Sequence, residues 1–392
     1  MAGGDQRVAV IGGGVVGAAV THALARRGVP AILLEAEPGL ALGASGANSG
    51  ILHTGFDSTE GELETRLILR SAVLREELFD ELGVTQWRCG ALLAPTGTQE
   101  LEAVARLARN AQANGVPAHL DGSGSLTVPG EAVTDPVAYV QALAGAAAMG
   151  GAEIRFRARV ETLGEDPGGE LFVGLGTGER LRVHAVVNCA GLQADVLARL
   201  AGDEIPSVYP RKGEFLVFSP VSDDPLERIL LPVPSPLGKG VLVFPSTDGA
   251  VIAGPTARER EDKDDFTVEP DAAELILPRA ARMYPALERA TLLGSYAGLR
   301  PASRNANYVI VHSQSLRGLI HVAAIRSTGL SASLGIGEHV VEMLAGRAVI
   351  APGPARPLPR ALEGAGPAAE RGWWKRAALH HERARARAAG AR

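Results

Sequence analysis

The chain has 392 residues, of which 46% are hydrophobic and 21% charged, a composition typical of globular proteins with one or two sizeable domains. No apolar run reaches the roughly 18 residues that a transmembrane helix needs. Two cysteines, Cys89 and Cys189, are too few for a disulfide framework, a cysteine-ligated iron–sulfur centre or a zinc ribbon. The apolar N-terminal stretch is broken by three glycines and lacks a basic leader, so we expect no secretory signal and a cytoplasmic protein.

Charge is distributed unevenly along the chain. The formal net charge is −5, but residues 371–392 carry about +6 and the rest of the chain about −11. An acidic body argues against nucleic acid as a partner, because phosphate binding needs a basic face. Residues 351–392 are predicted to be a proline- and glycine-rich linker followed by a disordered, solvated basic tail. The alternative is weak peripheral contact of Trp373, Trp374 and the neighbouring arginines with an anionic membrane surface.

The first predicted unit is a strand, a glycine turn, a helix and a second strand. Residues 7–11 form a β-rich apolar run, and residues 15–27 have helical spacing that ends at Gly28. Residues 31–34 form a second apolar strand. Such a βαβ unit implies a parallel sheet.

The turn inside this unit carries a dinucleotide-binding motif, GGGVVG, which matches G-x-G-x-x-G. Gly12 permits the tight turn, Gly14 lets the backbone approach a pyrophosphate, and Gly17 lets helix and strand pack closely. The amides of Val15 and Val16 at the helix N-terminus are expected to face the phosphates, where the helix dipole favours negative charge.

The residues beyond the second strand favour FAD over NAD. Glu35 lies 23 residues after Gly12, where a carboxylate accepts hydrogen bonds from a ribose diol. Residues 39–50 are small and polar, which suits an extended loop around a bulky dinucleotide, whereas an NAD domain continues directly into further helix and strand. A second strand-into-glycine element lies at 186–191. The candidate contacts from the loop and this element are Ser45, Asn48, Ser49, Gly50, Ala190 and Gly191.

The remaining pattern alternates helices and strands. Helices are predicted at 62–82, 98–114, 136–149, 271–283 and 331–345, and strands at 152–163, 182–189, 213–218, 241–244, 250–253 and 318–324. The predicted fold class is α/β, with a Rossmann-like FAD-binding domain, a parallel sheet with helices, interleaved with a smaller antiparallel β-rich substrate domain. The FAD-binding domain is assigned to 5–88, 135–205 and 300–347, and the substrate domain to 89–134 and 206–299.

Six motifs together resemble those of the D-amino-acid-oxidase-like (DAO) superfamily of flavoproteins, in the order in which the superfamily has them. They are GGGVVG at 12–17, SGANSGILHTGFD at 45–57, PRKGEF at 210–215, GPTARERED at 254–262, AGLRPAS at 297–303 and IRSTGLSASLGIGEHV at 325–340. The resemblance covers about residues 5–347. Within the superfamily the chain is most similar to the flavin-dependent glycerol-3-phosphate dehydrogenases and the L-2-hydroxyglutarate oxidases.

The resemblance implies positions around the flavin. The loop 45–57 is expected beside the isoalloxazine, and the backbone of Val160 on the adenine side. Ser327, Thr328, Gly329 and Leu330 would place helix N-terminal amides near the flavin N1–C2=O edge, where reduced flavin is anionic. Long members of the glycerol-3-phosphate branch often carry a cysteine-rich [2Fe–2S] domain. This chain has only two cysteines, so the electron route that those members use is in doubt here.

Oxidation of a CH–OH group needs a base for the hydroxyl proton, and His53 is the first candidate because imidazole titrates near neutral pH. The alternatives for His53 are a structural loop histidine or a covalent flavin attachment point. The nine histidines show no metal-binding spacing, so we predict no metal site.

Arg300 and Arg326 are the candidate anchors for a substrate anion, because a guanidinium fork matches carboxylate or phosphate. Either could instead be a salt-bridged structural arginine, and Arg300 is also a candidate cofactor contact. Tyr296, Arg211 and Lys212 are further candidates for lining the substrate pocket, with an ordinary rim role as the alternative.

The resulting hypothesis is an FAD-dependent dehydrogenase or oxidase that transfers hydride from the CH–OH group of a small anionic substrate to flavin N5. The substrate is expected to be glycerol 3-phosphate or a 2-hydroxy acid such as L-2-hydroxyglutarate. Two alternatives stay open: an amine or amino-acid oxidase on the same fold, or a catalytically silent FAD subunit of a larger complex. Oxygen, a quinone and a partner protein all stay open as electron acceptors. Delivery of electrons to a quinone would favour a peripheral position of the protein at the inner face of the membrane.

Overall fold

The computed structural model describes residues 7–234, 240–361 and 372–390, with the backbone alone described for 387–390. Its strands are β1 Val8–Ile11, β2 Ala31–Leu34, β3 Ile51–Leu52, β4 Ala91–Leu93, β5 His119–Leu120, β6 Leu126–Val128, β7 Ala132–Val133, β8 Glu153–Arg155, β9 Val160–Glu165, β10 Leu171–Leu175, β11 Arg180–Val183, β12 Ala185–Asn188, β13 Tyr209–Phe218, β14 Ile229–Leu230, β15 Leu242–Pro245, β16 Val251–Gly254, β17 Arg258–Glu259, β18 Leu292–Ala302, β19 Val309–His312 and β20 Leu319–Ala323. Its helices are α1 Val15–Arg26, α2 Leu63–Leu82, α3 Thr98–Ala113, α4 Pro136–Met149, α5 Ala194–Leu200, α6 Ala272–Met283, α7 Gly329–Gly346 and α8 Trp374–Gly390, and short 3-10 turns lie at Ala44–Ala47, Gly191–Gln193 and Pro285–Arg289.

A six-stranded sheet in the order β19-β20-β12-β1-β2-β8 forms the centre of the first layer. All its pairings are parallel except β19 with β20. The strands β1, β2 and β12 are buried at every residue, which explains why they are apolar in sequence except for Asn188 at the end of β12. Helices α1, α4 and α7 pack together, and a β-carbon at Gly337 of α7 would lie 2.7 Å from the carbonyl oxygen of Ala19. The predicted Rossmann-like parallel sheet with helices is confirmed.

A second, mainly antiparallel sheet of nine strands takes its members from residues 91–128 and 209–302. Its order is β17-β13-β16-β15-β14-β4-β6-β5, and β18 pairs with β13 along nearly its whole length. Helix α6 packs against β13 and β16. The long β13–β18 ribbon also reaches the first layer, because β18 contacts both the turn Ala44–Ala47 and the turn Gly191–Gln193. This ribbon is therefore the part of the β-rich sheet nearest to the dinucleotide motif.

The structure divides each of two predicted strands, 152–163 and 182–189, into two shorter strands. The predicted strand 152–163 becomes β8 and β9, because the chain turns at Arg157, whose φ is 55°. β8 joins the parallel sheet, whereas β9 pairs with β10 in a separate three-stranded sheet, β11-β10-β9. Likewise 182–189 divides into β11 and β12, which belong to different sheets. In both cases the change of sheet leaves no clear mark in the hydrophobic pattern of the predicted strand.

The prediction of a disordered tail is wrong for the described part of it. Residues 374–390 form α8, and Trp373 and Trp374 are each only 7% exposed. Both indole rings lie against the ring of Tyr296 on β18, with centroid distances of 5.5 and 6.2 Å, and Ala377 contacts Gly46. Because the protein itself covers these two tryptophans, they are not available to anchor the tail at a membrane surface.

The predicted linker is also ordered where it is described. Residues 351–361 have no regular secondary structure, but the amides of Gly353 and Arg356 donate to the carbonyls of Arg27 and Arg26 at 2.9 Å. Residues 362–371 lie outside the described part of the chain. Within the described ranges, no helix is both long and apolar enough to cross a bilayer.

Candidate cofactor and substrate site

The turn before α1 has the geometry that its three glycines predict. Gly12 has a φ of 111°, and a β-carbon there would lie 2.5 Å from the carbonyl oxygen of Cys189 on the neighbouring strand. A β-carbon at Gly17 would lie 1.9 Å from the carbonyl oxygen of Gly12. Only glycine fits either position, and the result is a helix N-terminus brought directly against the sheet edge. Gly14 caps the helix, and the amide of Val15 donates to Ser45 Oγ at 2.9 Å.

Glu35 lies at the end of β2, beside this turn. Its Oε2 accepts from the amide of Gly13 at 2.5 Å, and its Oε1 accepts from the amide of Glu37 at 2.8 Å. Burial raises the pKa of Glu35, while these backbone hydrogen bonds oppose the rise. The carboxylate is thus held at the edge of the turn, where it can accept from a ribose hydroxyl.

A cleft of about 390 Å³ connects this turn to the start of α7. Many of the predicted cofactor residues line it: Gly12, Gly14, Val15, Val16, Glu35, Ser45, Asn48, Val160, Ala190, Gly191, Gly329 and Leu330. The cleft therefore extends from one helix N-terminus to another, with a polar loop between them. An elongated dinucleotide with a diphosphate near one end and an anionic ring edge at the other fits this arrangement.

Several predicted cofactor contacts are not part of the cleft wall. Gly17 packs under the turn, and Ser49 and Gly50 form the turn that leads into β3. Thr328 is buried and turned away from the cleft, since its hydroxyl bonds Glu64 and Tyr308. Ser327 is exposed, and Arg300 is not among the residues that line the cleft, although the next residue, Pro301, is.

Sequence reasoning missed the residues that close the cleft from the side of the β-rich sheet. Lys263, Asp264 and Phe266 line it, together with His381 from α8. The rings of Phe266 and His381 stack with centroids 3.6 Å apart, and His381 Nε2 lies 2.6 Å from the carbonyl oxygen of Leu42. No local pattern connects positions so distant along the chain, so only the fold could reveal this contact.

His53 lies next to the start of α7. Its amide donates to Ser331 Oγ at 2.8 Å, one residue beyond Leu330 in the cleft wall. Its Nδ1 lies 2.8 Å from Oε2 of Glu131, a carboxylate that is fully buried. Among the described residues, Nε2 of His53 has no hydrogen-bond partner. The predicted base therefore has one ring nitrogen fixed by an acid and the other available.

Arg300 is placed between the two layers by β18. A β-carbon at Gly298 would lie 2.4 Å from the carbonyl oxygen of Ala47, and Pro301 faces Gly191. The Arg300 side chain donates from Nε to the carbonyl of Arg211, and from Nη2 to the carbonyls of Lys212 and Thr256. Burial, together with the positive charge of Arg211, lowers the pKa of Arg300 to about 10, so the guanidinium stays charged at neutral pH.

Arg300 and Arg211 form a pair of cations without an acid. They are opposite each other in the β13–β18 register. Within the described part of the chain, neither has a carboxylate oxygen within 4.0 Å, and Nε of Arg211 is buried without an acceptor. Lys212, the next residue, is different, because its Nζ bonds Asp265 at 2.8 Å and Glu269 at 3.3 Å. Lys212 is therefore held in a structural ion pair rather than lining a pocket.

The other two candidates from the sequence have different surroundings. Arg326 lines the cleft with a side chain that is 44% exposed, and its Nη2 lies 3.8 Å from Glu64. Tyr296 is covered by the two tryptophans of the tail, and its hydroxyl donates to the carbonyl of Asn48 at 3.3 Å. Tyr296 thus joins the β-rich sheet, the cofactor loop and the tail.

These features are typical of a flavoprotein: a glycine turn and Glu35 lie at one end of a cleft, and the N-terminus of α7 lies at the other, with His53 bonded to Ser331 of that helix. The sequence matches the family described as "FAD dependent oxidoreductase" (DAO) over residues 7–343. The chain belongs to this family, it is an FAD-dependent oxidoreductase, and FAD is its cofactor.

Individual relatives refine this assignment. The chain is 28% identical to a glycerol 3-phosphate dehydrogenase of Caloramator mitchellensis, over 86% of this chain and 73% of that protein. It is 28% identical to an L-2-hydroxyglutarate dehydrogenase of Escherichia coli, over 68% of each chain. Among solved structures, the dithionite-reduced L-alpha-glycerophosphate oxidase of Mycoplasma pneumoniae with FAD bound has a TM-score of 0.82 at 25% identity, covering 91% of this chain and 97% of that chain.

Proposed function

We propose that the protein oxidises the CH–OH group of a small anionic substrate, with glycerol 3-phosphate as the first candidate and a 2-hydroxy acid such as L-2-hydroxyglutarate as the second. The relatives that carry these two activities in their names support the substrate class. The broader coverage of both chains by the glycerol 3-phosphate enzymes supports the order of the candidates.

One observation carries the preference for an anion: among the described residues, Arg211 and Arg300 have no carboxylate oxygen within 4.0 Å. Two neighbouring guanidinium groups repel, and elsewhere in this sheet the buried Lys212 and the half-buried Arg258 have acidic partners. An anionic ligand would relieve the repulsion. Within the described residues Nη1 of Arg300 makes no hydrogen bond, so it can donate to that ligand. A phosphate monoester, with a charge of about −1.5 to −2 at neutral pH, suits two guanidiniums particularly well.

Each group at the site then has a separate role in the oxidation. FAD supplies the acceptor for the hydride that leaves the substrate carbon. His53 accepts the hydroxyl proton on Nε2, so the C–O bond can become a carbonyl. Arg300 and Arg211 hold the anionic end and thereby fix the distance between the hydroxyl and His53. The amides that begin α7 provide positive potential at the cleft end beside His53.

The proposal is tested by anaerobic mixing of the purified yellow protein with glycerol 3-phosphate, L-2-hydroxyglutarate, glycine and uncharged glycerol. We expect the flavin absorbance to bleach with one of the two hydroxy anions and to persist with glycerol. Bleaching with glycine alone would identify an amino-acid oxidase instead. A flavin that no compound in the panel bleaches would contradict the proposal and favour a silent FAD subunit.

Arg300→Lys should raise the KM for the anionic substrate by about 10- to 100-fold while the flavin content stays near that of the wild type. The lysine keeps a positive charge but loses the fork that bonds three carbonyls and an anion, a loss of one or two charged hydrogen bonds. Steady-state kinetics on the variant and on the control Arg289→Lys, an exposed arginine paired with Asp223, measure the difference. Equal KM values for both variants would remove Arg300 from the substrate site.

A further inference from the structure

The buried acid beside His53 is a feature that the sequence did not predict. Glu131 has no solvent exposure, and its carboxylate makes three hydrogen-bond contacts with two consecutive residues. Oε1 accepts from the amide of Thr54 at 2.7 Å and from its hydroxyl at 2.8 Å, while Oε2 faces Nδ1 of His53 at 2.8 Å. Burial of a carboxylate costs free energy unless hydrogen-bond donors surround it, as they do here.

The backbone holds this acid in register with the histidine. Glu131 directly precedes β7, and His53 directly follows β3. The two short strands pair, with Leu52 opposite Ala132, so the two side chains leave adjacent positions of one ladder. Gly130 is tightly placed as well, since a β-carbon there would lie 2.9 Å from Thr54 Cγ2. Neither partner can move far without breaking this pairing.

A buried arginine completes the cluster. Arg75 of α2 donates to the carbonyl of Ser331 at 2.7 Å and to the carbonyl of His53 at 3.2 Å. Burial lowers the pKa of Arg75, and the charge of Glu131 opposes that decrease. On the other side, burial raises the pKa of Cys89, and the charge of Glu131 adds to that rise. Arg75 thus lies within electrostatic range of Glu131 and ties the histidine loop to the start of α7.

We propose that Glu131 is a positioning residue that fixes His53 in the tautomer with the proton on Nδ1, leaving the Nε2 lone pair directed to the substrate. The proposal rests on the proposed function for its consequence, the proton transfer from the substrate hydroxyl. Its structural part is independent of the substrate. A carboxylate that faces Nδ1 can only accept, so Nδ1 must donate, and in the neutral ring Nε2 then carries the lone pair.

Glu131→Gln should reverse this arrangement. The two donors of Thr54 require the amide oxygen of the glutamine, so its NH₂ group must face Nδ1 of His53. Nδ1 then has to accept, and the proton moves to Nε2, the wrong atom for a base. We expect anaerobic flavin reduction to slow by about 10- to 100-fold, because a misplaced proton removes much of the contribution of a general base.

The experiment combines two measurements, the tautomer of His53 and the rate of flavin reduction, whose outcomes are independent of each other. In the ¹⁵N-histidine NMR spectrum of the FAD-loaded protein, with the His53 signals assigned by their loss in His53→Asn, the wild type should show the Nδ1–H tautomer. Glu131→Gln should shift it to Nε2–H. A wild-type protein with the Nε2–H tautomer would overturn the proposal without any variant. If no substrate reduces the wild-type flavin, the proposed function fails, and the tautomer alone still decides the role of Glu131.

A double-mutant cycle separates positioning from general damage to the fold. If Glu131 acts through His53, the variant His53→Asn with Glu131→Gln should reduce its flavin no more slowly than His53→Asn alone. If Glu131→Gln slows flavin reduction by the same factor in the His53→Asn background as in the wild type, the role of Glu131 is purely structural. Glu131→Gln with the wild-type reduction rate would equally rule out the positioning role.

Discussion

Replacement of His53 by asparagine should slow flavin reduction by about 10²- to 10⁴-fold, the usual contribution of a general base, with little change in FAD content. The backbone amide of His53, which bonds Ser331, is retained in the variant, so the loop can keep its place. What is lost is the ring nitrogen that accepts the substrate proton. Stopped-flow measurement of the anaerobic bleaching, at saturating substrate, isolates this step from the later delivery of electrons to the acceptor.

A histidine outside the site provides the matched control. His119 lies on β5 at the edge of the second sheet and is exposed, so His119→Asn should reduce its flavin at the wild-type rate. If His53→Asn also reduces at that rate, His53 is a structural loop residue. If the wild-type flavin remains with the denatured protein and the variant's flavin does not, His53 is the covalent attachment point. Both outcomes would contradict the proposed role.

Replacement of Trp374 by alanine should lower the free energy of unfolding by about 3–5 kcal/mol, the range for truncation of a buried tryptophan or phenylalanine. The indole is 7% exposed and lies over the ring of Tyr296 and the backbone of Gly294, where a β-carbon would approach it to 2.6 Å. Its removal leaves a cavity between the tail and β18. Denaturant titration of the FAD-free protein measures the loss without the stabilisation that bound ligand adds.

The same variant should also bind FAD less tightly. Tyr296 donates to the carbonyl of Asn48, and Ala377 of α8 contacts Gly46 in the cofactor loop, so the tail supports the loop from outside. Glu382→Ala, at an exposed position of the same helix, is the control and should change neither quantity. A Trp374→Ala protein with the unfolding midpoint of the control would show that the tail does not stabilise the domain.

The cofactor end of the site could be predicted from sequence because it depends on backbone geometry. At Gly12 and Gly17 the chain approaches itself so closely that only glycine fits, and Glu35 follows at the end of the next strand. Such requirements leave a fixed spacing in the sequence. The substrate end depends on side chains from distant segments, so the sequence offered Arg326 as an equal of Arg300, and Lys212 as a further pocket-lining candidate. Only the fold shows that Lys212 is bound by Asp265 and Glu269, and that Arg326 lies 3.8 Å from Glu64.

The two features missed altogether have different explanations. Glu131 stands alone between a proline–glycine turn and a short strand, and nothing local predicts that it faces His53. The tail did contain a signal: Trp373, Trp374, Ala377, His380 and His381 follow helical spacing and form the packed face of α8. The run of arginines on the same segment obscured it, because a high density of like charge is typical of disordered tails.

The most direct test of the central claim is the reductive half-reaction with glycerol 3-phosphate carrying deuterium on the carbon of its secondary hydroxyl. If that C–H bond is broken as hydride while His53 accepts the hydroxyl proton, anaerobic flavin bleaching should be measurably slower with the deuterated substrate than with the unlabelled one. The same comparison applies to L-2-hydroxyglutarate if it proves to be the faster substrate. Identical rates for labelled and unlabelled forms of the substrate that bleaches the flavin, in a step shown to be limited by chemistry, would contradict the account.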